Sequence, residues 1–140
     1  MAERARAVWV AGGLAGLVSG VPSTVYLLVT GGDLFASLDA LVAMVTSRDL
    51  AMPYHVAVAA GVHFAVSFGW AAVLVALVPR RAPVLGALAA SVLIALVDLE
   101  LIAPYFFAEV AALPFLPQLA DHLAWGAVVG VVLRARRRPG

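Results

Sequence analysis

Four long apolar stretches, residues 7–29, 56–78, 84–103 and 117–133, fill most of this chain, and charges or prolines separate each from the next. At 1.5 Å per residue they measure roughly 25–35 Å, close to the hydrocarbon thickness of a bilayer. They predict an all-α integral membrane protein, a four-helix bundle of transmembrane spans. With 64% hydrophobic and 12% charged residues, the composition lies far from a water-soluble domain, in which about a quarter of residues are charged. Four spans in 140 residues leave only short connections, which predicts a single transmembrane domain over 1–140 with no soluble enzyme module.

The chain has no cysteine, so disulfides, thiolate metal sites and thiol catalysis are excluded together. The first apolar stretch exceeds the core of a secretory signal peptide, and no small-x-small cleavage pattern ends it, so it is expected to persist as a span.

Orientation rests on arginine alone, since lysine is absent. Arg4 and Arg6 precede the first span, Arg80 and Arg81 occupy the turn after the second, and Arg134, Arg136, Arg137 and Arg138 follow the fourth. The other two connections carry Arg48 against Asp33, Asp39, Asp49, Glu109 and Asp121. The positive-inside rule therefore predicts both termini and the turn at residues 79–83 in the cytoplasm, with the two longer loops outside. The near-neutral total charge gives no sign of a nucleic-acid partner, and the partner implied is the lipid bilayer.

The first outer loop has a pattern of its own. Leu34, Phe35, Leu38, Leu41, Val42 and Val45 recur at helical spacing behind Asp33, which predicts a short amphipathic interfacial helix over residues 33–47. Pro117 is expected as the first residue of the last helix, where a missing N–H costs nothing.

Small residues recur every four positions in all four spans: Gly12, Gly16 and Gly20; Gly61, Ala65 and Gly69; Ala87, Ser91 and Ala95; Gly126 and Gly130. Because lipid tails solvate leucine as well as a neighbouring helix does, close backbone contact along such ladders holds membrane helices together. The ladders predict a tight bundle, and one of them is free to serve a homo-oligomer or a partner membrane protein.

Polar residues within the spans carry more information. Asp98 follows Ser91 by seven residues and shares its face; Ser19 and Ser23 extend the Gly12–Gly16 stripe; His122 precedes Gly126 and Gly130; His63 and Ser67 lie one turn apart. Counted from the outer helix ends, Ser23, His63, Asp98 and His122 fall about 7–12 Å deep, which predicts an outward-facing His/Asp/Ser cluster at a common level. His63, Asp98, Asp121, His122, Ser19, Ser23 and Ser67 are thus candidates for binding a proton or an ion.

Plainer roles stand beside these. Asp121 and His122 suit the start of a helix at the interface, the serines suit carbonyls freed by Pro22, and His55 is expected outside the core. Trp9, Trp70 and Trp125 are expected to serve packing or the interface rather than ligand binding.

The run Leu17-Val18-Ser19-Gly20-Val21-Pro22-Ser23-Thr24 with Gly32-Asp33, the His63, Ser67, Gly69-Trp70 pattern, the Pro79-Arg80-Arg81 turn, Asp98-Leu99 and Leu113-Pro114 with Pro117-Gln118-Leu119-Ala120-Asp121-His122 resemble a family of small uncharacterised multi-pass membrane proteins of high-GC actinomycete-type bacteria. The resemblance implies a multi-pass inner-membrane protein and brings no reaction with it.

Three functional readings follow: a proton- or ion-linked transporter or channel, a non-catalytic subunit or homo-oligomeric scaffold, and a haem or metal protein using His63, His122 and Asp98. For the last, the histidine spacing is poor. His55 and His63 are eight residues apart, about 12 Å along a helix, so they do not clamp one ion as an i, i+4 pair would. No motif specifies a cofactor, and hydrolytic or transferase signatures are missing, so an enzyme is not the expectation.

Overall fold

The backbone of a lipid-embedded segment must satisfy its own hydrogen bonds, and the described residues are accordingly helices and their connections, without strands. The computed structural model describes residues 2–46, 50–79 and 81–136. Four helical stretches are long and apolar enough to cross a membrane: Ala2–Thr30, Met52–Leu77, Pro83–Phe106 and Phe115–Arg136. The protein is an all-α four-helix bundle of membrane-protein type.

The first span is two helices, α1 (Ala2–Ser19) and α2 (Val21–Thr30), joined at Gly20. Pro22 causes the break, because it has no N–H to return to the preceding turn and its ring crowds the carbonyl four residues back. Gly31 ends α2 at φ 68°, the left-handed conformation that glycine adopts without strain.

The interfacial helix α3 is shorter than expected. It runs Ala36–Ala43, although Asp33 does cap the turn before it, its Oδ1 accepting the Phe35 N–H at 2.8 Å. The last expected residue, Ser47, lies outside the described residues. Ala40 and Val42 are buried where α3 folds back onto the second span, α4 (Met52–Leu77), so this helix covers the bundle rather than only floating at its edge.

The third span starts as α5 (Pro83–Leu96), widens into a π-helical turn over Val97–Ile102 and ends as α6 (Ala103–Phe106). Pro104 cannot donate to the turn before it, and the Ala103 N–H reaches back five residues to the Asp98 carbonyl. A short helix α7 (Ala108–Ala111) leads to the fourth span, α8 (Phe115–Arg136), which begins two residues before Pro117.

In the bundle α8 packs on both α1 and α5, and α1 packs also on α4. Ala11, Ala15, Ala71, Leu74, Ala87, Ile94, Trp125 and Val129 form the core between them. The ladders divide by role. A Cβ at Gly130 would sit 2.7 Å from the Val84 Cα, and one at Gly16 would sit 2.9 Å from the Phe64 ring, so these glycines are where helices touch. Gly12 meets Phe68 and Gly126 meets Ser91 in the same way. At Gly20, Gly61 and Gly69 an added Cβ would meet nothing within 4 Å, so these three take no part in packing inside the bundle.

Candidate functional site

The α1 glycines do more than admit a neighbour. By removing side chains between α1 and α4, Gly12 and Gly16 bring two α1 carbonyls within reach of polar groups on α4. Ser67 Oγ donates to the Gly12 carbonyl at 2.8 Å, and His63 Nε2 lies 2.8 Å from the Gly16 carbonyl. One turn forward on α1 matches one turn back on α4, the register of antiparallel helices. Since a carbonyl only accepts, His63 carries its hydrogen on Nε2, and Ser19 Oγ lies 3.2 Å from the same nitrogen. Trp125, buried on α8, donates its indole N–H to Ser67 Oγ at 2.8 Å and thereby ties three helices together.

A second group forms across α4, the π-helical turn and α8. Trp70 Nε1 donates to Asp98 Oδ2 at 3.1 Å, and His122 Nε2 faces the same oxygen at 3.6 Å. The wide turn is what presents Asp98 here, since its own carbonyl is engaged by the Ala103 N–H. The other nitrogen of His122, Nδ1, lies 2.8 Å from the Gln118 carbonyl of its own helix and so bears a hydrogen. In a neutral ring the Nε2 atom then presents a lone pair to Asp98. Two lone pairs repel, and a proton resolves the conflict, either on the imidazole or on the carboxyl group.

Asp121, next in sequence, performs a different task. Its Oδ1 accepts the backbone N–H of Ser23 at 2.9 Å, supplying from α8 the cap that the first turn of α2 lacks, since Gly20 has no side chain to provide one. Asp121 is close enough to His122 and His63 to interact with both electrostatically, and His122 interacts likewise with Asp98 and Asp121. Gln118 secures this end of the bundle by donating to the carbonyls of Val110 and Leu113 at 3.3 and 3.2 Å.

The candidates thus form linked pairs rather than one ring. His63 meets Ser19, Ser67 meets Trp125, Asp98 meets Trp70 and His122, and Asp121 meets Ser23; no hydrogen bond or ion pair joins His63 to Asp98. The partners on α4, namely His63, Ser67 and Trp70, span about two helical turns, so the polar contacts along α4 form a staircase. Trp70 and Trp125, expected to serve packing or the interface, also donate hydrogen bonds to polar groups, and Gln118, which no sequence pattern marks as a site residue, accepts from the His122 ring. A tryptophan level with a candidate carboxylate was the available signal. His55, expected outside the core, is buried and lies 2.9 Å from Asp39 of α3, which holds that helix down. Glu100 is exposed.

No family model, curated protein or solved structure matches this chain. The arrangement of the side chains therefore has to speak for itself. Among the described residues no three His, Asp or Glu side chains converge in an arrangement that could hold a metal ion.

Proposed function

We propose that this is a small multi-pass inner-membrane protein that takes up and releases protons at the Asp98–His122 pair, as the centre of a proton-linked transporter. The observation that carries the reading is the fixed ring of His122: Gln118 claims the Nδ1 hydrogen, and Nε2 is left 3.6 Å from a carboxylate oxygen with room for one proton between two bases. Each side chain of the pair is 23% exposed, which suits exchange better than permanent burial. Ionisable groups inside a span cost several kcal/mol unless they are paired, and a histidine facing a carboxylate across two spans favours a working site over an accident of packing. The arginine distribution supports cytoplasmic termini, so the pair lies nearer the outer surface.

A pH step across proteoliposomes of the purified protein is expected to drive proton movement well above that of protein-free vesicles. Equal rates in the two preparations would remove the reading.

A second reading, a homo-oligomeric scaffold, has its own observation. Gly61 and Gly69 face outward on α4 with Ala65, also exposed, between them, a ladder that none of the described residues occupies. In mild detergent the particle mass is expected to exceed one chain and to fall to one chain in Gly61→Leu/Gly69→Leu; a monomer before substitution would count against assembly.

A further inference from the structure

The outer half of the first span is built as an arm. Helix α2 contains no buried residue and packs on α8, while nothing in α4 packs closely upon it. Its joint to α1 is loose by chemistry. Pro22 supplies no N–H to the turn behind it, and Gly20 has open space where a side chain would stand. On the side away from α8, a groove of about 330 Å³ lies between the arm and α4, lined by Gly16, Gly20, Val21, Thr24 and Val25, with His63 at its edge. Against this freedom stands the tie of Ser23 to Asp121, which receives the Ser23 N–H on Oδ1 at 2.9 Å and interacts with the Ser23 side chain as well.

We infer that α2 is a hinged gate and that the Asp121 carboxylate is the latch holding it on α8, so that neutralising Asp121 frees the arm to swing about Gly20 across the groove and cover His63. An ionised carboxylate accepting a backbone N–H at a helix start is a charge-assisted bond, and the start of the helix carries the positive end of its dipole. A protonated carboxyl loses both advantages, and the arm has little packing to replace them. The groups that bear on the latch are His122 on α8 itself, His63 from α4 and Asp98 beyond His122; α5 has no titratable side chain, and that of α2 is the exposed Tyr26. A proton arriving at this histidine and carboxylate array therefore changes the charge that the latch feels. As control of access the gate rests on the proton-site reading above. The hinge itself is independent of it.

The absence of cysteine makes the test direct. Spin labels at Leu28→Cys on the arm and Tyr54→Cys on α4, both exposed positions, report the gate in lipid nanodiscs, and a reference pair at Leu14→Cys and Val73→Cys reports the inner half. Adding Asp121→Asn is expected to bring in a population with the outer pair about 5 Å closer, the travel of a ten-residue arm turned by roughly 20°, with the reference pair unchanged. Asp121→Glu, which keeps the charge, is expected to hold the parental distance. The same shift is expected in the unsubstituted labelled chain between pH 8 and pH 4, which keeps the test open should Asp121→Asn misfold. An outer distance that stays the same in Asp121→Asn, or across the pH range if that variant is lost, overturns the gate. Proton movement is measured separately, so an immobile arm and an inactive proton site are different results.

Discussion

Replacing Asp98 by asparagine is expected to reduce proton movement at least tenfold while leaving the fold intact. The substitution is chosen because it keeps the geometry. An asparagine oxygen in the place of Asp98 Oδ2 still accepts the Trp70 indole N–H, now at 3.1 Å, and His122 Nε2 still faces that same oxygen at 3.6 Å. What disappears is the capacity of the position to hold and lose a proton. A general base or proton carrier contributes factors of about 10²–10⁴ where it acts, so a tenfold fall is a conservative threshold. Asp98→Leu is a poorer experiment, because it strands the indole N–H in an apolar setting and mixes loss of stability with loss of function. Proton movement in Asp98→Asn equal to that of the parent protein would mean that the pair is only structural.

The largest effect on stability is expected at Gly130. A leucine there would drive its Cβ to 2.7 Å from the Val84 Cα and to 3.2 Å from the Pro83 carbonyl oxygen, and these obstacles are backbone, which cannot rotate aside. Helices α5 and α8 would have to separate, opening the contact that runs up through Ala87, Ser91 and Gly126. Overpacking a closed core costs about 1–3 kcal/mol when side chains can yield, and the cost at Gly130 is expected at or above the top of that range. Gly61→Leu provides the comparison, since a side chain there meets nothing within 4 Å and is expected to change the stability of one chain by less than about 0.5 kcal/mol. Unfolding of both variants in a denaturing detergent series, followed by tryptophan emission because buried Trp125 lies in the same core, gives the two values. Equal stabilities would show that the α5–α8 contact is not what holds the bundle.

These two substitutions exchange one residue type for another in ladders that look alike in sequence, and that equivalence marks where sequence reasoning stops. A glycine every fourth residue identifies a face on which another surface can come close, but not whether that surface belongs to the same chain. Gly12 and Gly16 receive Phe68 and Phe64, Gly126 and Gly130 receive α5, and Gly61 and Gly69 receive nothing. The polar residues behave alike. Ser19, Ser67, His63, Asp98, Asp121 and His122 stand out as costly inside a bilayer, and each bonds or pairs with another helix. Counting along ideal helices sets Ser23, His63, Asp98 and His122 at one depth, but it does not include the π-helical turn at Asp98, the break at Gly20 or the reach of an indole ring.

His55 shows the same limit from the other direction. Near the end of a span it is expected outside the core, yet the helix of the first loop folds over it and supplies Asp39 as its partner. Trp70 and Trp125 are expected at packing or interface positions and both do pack on the core; what the tertiary structure adds is an acceptor for each indole N–H, Asp98 for Trp70 and Ser67 for Trp125.

By itself the sequence determined that this chain is helical, with four segments long and apolar enough to cross a bilayer, because hydrophobic length and the need to satisfy backbone bonds without water are properties of each segment alone. It also determined which side chains are too polar to face lipid. Which partners they meet, which glycine faces are filled and where the first span bends onto Asp121 were decided by the tertiary structure, because those depend on how helices far apart in the chain are turned and how far each side chain reaches across the gap between them.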